Sequence, residues 1–426
     1  MPPPSCVRAR VLAFAFFLAV VTYLDRICIS AAAPYIMEDL HLTVLQMSVV
    51  FSAFTLAYSL FEIPSGWLGD VKGPRRVLAR IVLWWSGFTM LTAAARGFPS
   101  LVAIRFLFGA GEAGAFPNVA RSFSRWFPAR ERGRANGVLF LGSRVGGMLA
   151  APIALLLVAR YGWRTSFVIF GALGMVWAAA WYACYRDRPE DHPAITREEL
   201  AWIQQDGLNE GLRATGNGHV DTPWAALLRS RNLYAICAMY FAFGYGLYFY
   251  FTWLPTYLIT ELGFSLFKGG FFAALPFLLA GFADLAGGWL TDRLSRTHGL
   301  RAGRCHLGFA AFMTCAALVF ASTTPVPSVA KAVLLALALA SADLALGACW
   351  AVPIDIAPDH AGVITGCMNT LGNLGGLIGP LVVGVAVDRW GSWTFPFYVT
   401  AIIYACGAVA WLAIDPTRPV TRAAAS

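Results

Sequence analysis

Gly66-Trp67-Leu68-Gly69-Asp70-Val71-Lys72-Gly73-Pro74-Arg75-Arg76 closes one apolar run of the chain. Gly288-Trp289-Leu290-Thr291-Asp292 closes another, 222 residues later, and again arginines follow. A second echo pairs Gly146-Gly147 and Tyr161-Gly162 with Gly375-Gly376 and Trp390-Gly391. Motifs that recur in the same order at the ends of apolar runs mark a duplicated unit. Duplication of a helical membrane unit is the layout of secondary transporters, whose sites lie near the bilayer midplane between the repeats.

The runs outside these motifs fill in the unit. A helix needs about 20 apolar residues to cross the hydrocarbon core. Such runs lie at 11–33, 45–67, 77–95, 100–122, 136–158 and 165–185, and again at 233–259, 268–291, 304–322, 329–352, 362–386 and 394–414. The reading is an all-α membrane protein of twelve transmembrane helices in two pseudo-symmetric six-helix bundles. Long unbroken runs do not fit the alternating ten-residue pattern of a membrane barrel. Composition agrees: 58% of the 426 residues are hydrophobic and 13% charged, about half the charge of a soluble chain. An ordinary soluble enzyme and a disordered chain are both excluded.

The bundles are expected at 1–185 and 232–416. A linker at 186–231 carries the helix start Thr196-Arg197-Glu198-Glu199 and a Gly216-Asn217-Gly218 stretch, and a tail follows at 417–426. With both termini in the cytoplasm, 23 of the 32 Lys and Arg residues fall in cytoplasmic segments, six outside and three within spans. That asymmetry predicts the orientation, in a plasma membrane such as the bacterial inner membrane. Net charge is +9, but the basic residues cluster between apolar runs, so no nucleic-acid partner is expected. The nine cysteines stand singly, no CxxC occurs, and the six histidines are scattered. Neither a metal site nor a cofactor is predicted, nor a disulfide framework. Neither GxSxG nor HExxH is present, so an intramembrane enzyme is not the reading.

The stretch from Gly66 to Arg76 resembles the loop 2–3 motif of the major facilitator superfamily, with Val71 where that motif has a basic residue. The resemblance implies a cytoplasmic gate formed by Gly66, Asp70, Gly73, Arg75 and Arg76, echoed by Asp292 and Arg293. Two further stretches are Tyr23-Leu-Asp25-Arg26-Ile-Cys-Ile-Ser30-Ala-Ala-Ala-Pro34 and Arg105-Phe-Leu-Phe-Gly109-Ala-Gly111-Glu112-Ala-Gly114-Ala-Phe-Pro117. They are similar to the anion:cation symporter branch, which carries galactonate, hexuronates, glucarate, glutamate and sialic acid. In that branch the residues matching Asp25 and Glu112 carry the proton, and the one matching Arg26 binds substrate.

Charge inside a span is expensive and marks a pathway or relay. Arg26, Arg105 and Arg144 are candidates to hold a substrate carboxylate, because a guanidinium keeps its charge when desolvated and binds carboxylates bidentately. The rival reading pairs each arginine with a structural acid, such as Arg105 with Glu112 seven residues on and on the same helix face. Asp25 and Glu112 are the candidates for proton coupling. Tyr58, Tyr248, Trp253, Trp350, Asn369 and Asn373 complete the substrate-binding candidates by their hydroxyl, indole and amide groups. Glu62 and Asp284, each four residues before the repeated Gly-Trp-Leu, are pseudo-symmetry mates read as a cap or local pair, with gating through the cytoplasmic arginines as the alternative, and Asp343 receives no role. The expected activity is proton-coupled uptake of an organic anion, a sugar acid or other carboxylate, by a monomer in the lipid bilayer. A uniporter or exchanger of organic anions, or a drug/proton antiporter, are the alternatives.

Overall fold

The computed structural model describes residues 6–204, 227–357 and 361–417, without the side chains of residues 6, 63, 66, 67, 69–71, 129, 130, 361 and 362. The Gly216-Asn217-Gly218 stretch, most of the tail, and the side chains of Gly66 and Asp70 lie outside the described residues. Every described element is helical, and those of eight residues or more are α1 Cys6–Leu40, α2 Val44–Lys72, α3 Pro74–Thr92, α4 Phe98–Glu112, α5 Ala115–Trp126, α6 Ala129–Cys184 and α7 Arg197–Gln204. There follow α8 Arg231–Thr252, α9 Leu266–His298, α10 Leu307–Ser322, α11 Ser328–Asp343, α12 Leu346–Ile356, α13 Ala361–Trp390 and α14 Thr394–Ala413.

Among the described residues, nine helices are long and apolar enough to cross a bilayer. One of these, α6, carries two passes, because Gly162 leaves the helical region at φ 78°, ψ 163°. α3 falls short of that apolarity because Arg75, Arg76 and Arg80 crowd its first two turns. α4 and α5 are each too short alone, at 15 and 12 residues, and together make one pass. The total is twelve.

The departures from straight spans have local causes. Between α4 and α5, Ala113 is extended (ψ 136°) and Gly114 left-handed (φ 87°), a conformation that favours glycine. The Gly114 carbonyl then accepts twice from Asn118, from its backbone amide at 3.1 Å and from its side-chain amide at 2.7 Å, which fixes the start of α5. The tenth pass is interrupted more mildly between Asp343 and Leu346, where Leu344 and Ala345 form a turn but keep right-handed helical backbone angles. α8 stops at Thr252 just ahead of Pro255, which lacks the amide proton a continuing helix needs.

The chain forms two compact units, one of residues 1–28, 56–150 and 157–220, the other of 29–55, 151–156 and 221–426. In the first, α6 lies so close to α1 that a Cβ at Gly146 would meet the Val20 carbonyl oxygen at 2.6 Å. Trp177, Trp181 and Tyr185 stack in series at 5.3 and 3.9 Å, and the Trp177 indole donates to the Phe14 carbonyl at 3.0 Å. In the second unit α8 and α13 meet backbone to backbone, where a Cβ on Gly244 would lie 2.0 Å from the Gly372 carbonyl oxygen. Asp388, in the last turn of α13, accepts from the amides of Val44 and Leu45, each at 3.0 Å, and so caps the start of α2.

The linker helix is pinned to the first unit by charge. Thr196 caps α7, its hydroxyl accepting from the Glu199 amide at 3.1 Å. The Arg8 guanidinium reaches Glu131 at 2.7 Å and Glu199 at 3.5 Å, the Arg8 amide donates to Glu199 at 3.0 Å, and the Trp202 indole donates to Glu131 at 2.9 Å. Arg8 and Glu199 are both buried. Removing one member of a buried ion pair costs about 3–5 kcal/mol. Arg8→Ala is therefore expected to lower the melting temperature and to speed tryptic cleavage after the exposed Arg197. An unchanged cleavage rate would show that α7 is held by its apolar face alone.

Candidate functional site

Neighbouring positions on α1 send Asp25 and Arg26 in different directions. Asp25 is 1% exposed and lies beside Trp85 of α3 and Glu112 and Arg105 of α4. No hydrogen bond of full geometry reaches either of its carboxyl oxygens among the described residues. Arg26 turns to α4, where its Nε forms an ion pair with Glu112 Oε1. Its guanidinium carbon also lies 4.7 Å from the ring centre of Tyr58 on α2 and 5.4 Å from that of Tyr23. Two rings around one cation hold it by cation–π attraction beside its ion pair with Glu112.

α4 supplies the other half. Glu112 is fully buried and is the last residue before the Ala113–Gly114 break, so its backbone sits where the helix ends. Arg105 lies two turns earlier on the same face, 2% exposed, with its guanidinium carbon 4.2 Å over the Phe108 ring. Its charge acts on Asp25, Glu112 and Arg26 together. The ion pair that forms is thus Arg26 with Glu112, and Arg105 is the second cation of a four-charge cluster. Trp85, buried completely against Asp25, is a member that charge-based reasoning passes over because indole carries no formal charge.

Two acids and two arginines in one dry cluster can bind an anion and exchange a proton. A guanidinium is a carboxylate receptor, but its partner acid must be displaced or neutralised before a substrate takes that place. Nothing in this set suits a nucleophilic or metal-assisted reaction, and no group of three metal-ligating side chains occurs among the described residues.

The remaining candidates are dispersed. Arg144 is half-buried on α6, between Gly142 and Gly146 that face α1. In the second unit the Tyr248 hydroxyl donates to the Asn373 side-chain oxygen at 3.5 Å, and Tyr248 seats against Gly376. Trp253 is fully buried, its ring 5.2 Å from Phe51 and 5.8 Å from Trp393, so it belongs to an aromatic cluster. Trp350 is 40% exposed and meets Tyr240 edge-on, and Asn369 is half-buried on α13. Asp343 repeats the placement of Glu112: fully buried, last residue before the break in its pass, with Tyr250, Cys315, Cys349 and Tyr404 around it.

At the gate motif, Gly73 is left-handed (φ 82°), and a Cβ there would strike the Asp187 carboxylate at 2.6 Å. Asp187 accepts from the Arg75 amide at 2.9 Å and so caps α3, while Arg125 lies 3.6 Å from it. The Arg75 guanidinium donates twice to the Tyr182 carbonyl, at 3.0 and 2.8 Å, and lies over the Tyr182 ring. Arg76 is exposed. In the second unit Arg304, not Arg293, approaches Asp292, at 3.6 Å; it also bonds Asp355 at 3.0 Å, and Arg293 lies over Trp289. Asp187 and Asp355 were invisible in the motif because they lie far along the chain from the residues they hold. Asp187→Ala is expected to cost about 1–2 kcal/mol through loss of the cap, read as a lowered melting temperature that Asp187→Asn partly restores.

A family model described as Major Facilitator Superfamily matches residues 15–380. The chain is 35% identical over 414 residues to a probable sulfoacetate transporter of Cupriavidus necator, covering 97% of this chain and 95% of that one. It is 31% identical to a hexuronate transporter of Bacillus subtilis, over 92% of this chain and 90% of the relative. It is also 31% identical to a D-galactonate transporter of Escherichia coli, over 94% of each. The fold matches a crystal structure of a bacterial homologue of the human lysosomal transporter Spinster, with TM-score 0.77 at 18% identity, covering 96% of this chain and 97% of that one.

Proposed function

The chain belongs to the Major Facilitator Superfamily, and on that premise we propose that it takes up a small organic anion together with protons by alternating access. The observation that carries this reading is the Arg26–Glu112 ion pair, buried in the membrane-spanning part beside Asp25. An anion entering the cluster competes with Glu112 for Arg26. Protonation of Glu112 removes the competitor, so proton and anion favour each other's binding. Arg105 supplies the second positive charge, and Tyr58 holds the Arg26 guanidinium in place. Asp25 is the second proton acceptor, since an ionised carboxylate without donors costs several kcal/mol in a dry site and a proton removes that cost.

The substrate carries a carboxylate or sulfonate, and hydroxyl-bearing candidates are read by Tyr248 and Asn373, with Trp350 and Asn369 as further contacts. Arg144 tunes the site toward more acidic substrates. The working units are six-helix bundles at 1–185 and 232–416, joined by 186–231, in a monomer with both termini in the cytoplasm and the chain in a bacterial inner membrane. Gly73, Arg75 and Asp187 work as one cytoplasmic latch, with Asp292 and Arg304 as its counterpart.

The test is a thermal-shift screen of purified protein against sugar acids, dicarboxylates, aromatic acids and sulfonated acids, followed by uptake into proteoliposomes. Hits among anions, with uptake that rises when the outside is made acid, are the expected result. Hits confined to apolar cations would replace this reading by drug export, and uptake indifferent to an imposed pH gradient would leave a uniporter or exchanger.

A further inference from the structure

On the first unit, α3 and the last turns of α6 frame a groove of about 750 Å³. Arg76 and Arg80 stand at one end of it, Leu83 and Trp84 continue along α3, and Ala179 and Tyr182 form the α6 side. The two arginines are four residues apart on one helix face, about 6 Å along the axis. Neither has an ion-pair or hydrogen-bond partner among the described residues. Their neighbour Arg75 is engaged by the Tyr182 carbonyl, which leaves Arg76 and Arg80 as the arginines of α3 that face the groove.

The walls are built, not incidental. Leu83, Trp84 and Tyr182 are 48%, 47% and 47% exposed, yet Trp84 is fixed: its indole donates to the Leu107 carbonyl at 2.8 Å, and its ring fills the space a side chain on Gly111 would need. Alanines on α6 keep the opposite side low. From Arg76 to Trp84 the groove follows α3 for about 12 Å, the depth of the headgroup and the first part of an acyl chain. The charged end lies in the first two turns of α3, whose start Asp187, just past the end of α6, caps.

We propose that this groove binds an anionic phospholipid, its phosphate on Arg76 and Arg80 and one acyl chain along Leu83, Trp84 and Ala179. Basic pockets between transmembrane helices recognise such headgroups by charge, and the apolar channel behind them selects a lipid over a soluble anion. The site is separate from the four-charge cluster and does not depend on what that cluster carries.

Native mass spectrometry and thermal shift of the purified full chain, with phosphatidylglycerol or phosphatidylcholine added in mild detergent, test it. Phosphatidylglycerol is expected to form adducts and raise the melting temperature, and phosphatidylcholine to do neither. Arg80→Gln, outside the Gly66–Arg76 motif, should weaken the phosphatidylglycerol effect about tenfold, and Arg76→Gln/Arg80→Gln should remove it. Ala179→Trp keeps both arginines but fills the groove on a lipid-facing position, and should weaken binding as well. Equal responses of wild type and all three variants, or an equal response to phosphatidylcholine, would overturn the proposal. So would a matching shift with inorganic phosphate alone, or a concentration-dependent dimer that Ala179→Trp abolishes, since the groove would then hold a free anion or a second copy.

Discussion

Arg26→Ala is expected to abolish anion binding: no thermal shift with any acid that stabilises the wild type, and no uptake. Truncating one partner of a buried, hydrogen-bonded charge pair between receptor and ligand costs about 2–5 kcal/mol, or roughly one and a half to three and a half powers of ten in Kd. That takes a micromolar substrate to the millimolar range, beyond reach of either assay. Arg26→Lys keeps the charge but loses the planar fork and its stacking between Tyr23 and Tyr58, so an intermediate loss of about tenfold to a hundredfold is the expected outcome.

The single variant has a structural side effect, since it leaves Glu112 ionised without its partner in a fully buried position. The double variant Arg26→Ala/Glu112→Gln separates the two. It restores the fold by removing the stranded charge, and it should still bind no anion. If the double variant binds substrate as the wild type does, Arg26 served only to neutralise Glu112, and the receptor role passes to Arg105 or Arg144.

Arg26 and Glu112 illustrate what a sequence discloses. Each was legible because a charge inside an apolar run has no innocent explanation in a bilayer. Their pairing was not, because they lie 86 residues apart and the local spacing offered Arg105 as an equally good partner. The twelve passes were legible from run length alone, since lipid imposes one length on every crossing. The break after Glu112 was hidden, because the apolar run continues straight through it and only backbone geometry marks it.

The caps show the same limit. Asp187 and Asp388 are ordinary loop and helix-end acids by composition, and their partners, the amides of Arg75 and of Val44 and Leu45, lie 112 to 344 residues away. A backbone amide is the same at every position, so no side-chain pattern points to it. The motif from Gly66 to Arg76 is informative for a complementary reason. Its Gly73 requires a left-handed backbone and leaves room for the Asp187 carboxylate, so the glycine reports a neighbour that the stretch itself does not contain.

Asp25→Asn and Glu112→Gln are expected to separate exchange from accumulation. Counted in their ionised forms, Asp25 and Glu112 balance Arg26 and Arg105, so the empty cluster is neutral. A bound monoanion adds one uncompensated negative charge in a medium where that is expensive, and one proton on either acid restores neutrality. Electroneutral coupling of one proton to one monoanion gives about tenfold accumulation for each unit of pH difference, since one pH unit is 1.36 kcal/mol. With one acid replaced by its amide the cluster starts with a net positive charge. Anion binding alone then reaches neutrality and no proton is drawn in. The variants should exchange labelled for unlabelled substrate across a proteoliposome at rates near the wild type, and should reach an internal concentration no higher than the external one under the same pH difference. Undiminished accumulation by both single variants would place the coupling group elsewhere. Accumulation lost in Glu112→Gln but kept in Asp25→Asn would assign the proton to the Arg26 partner alone, which is the residue an entering anion displaces.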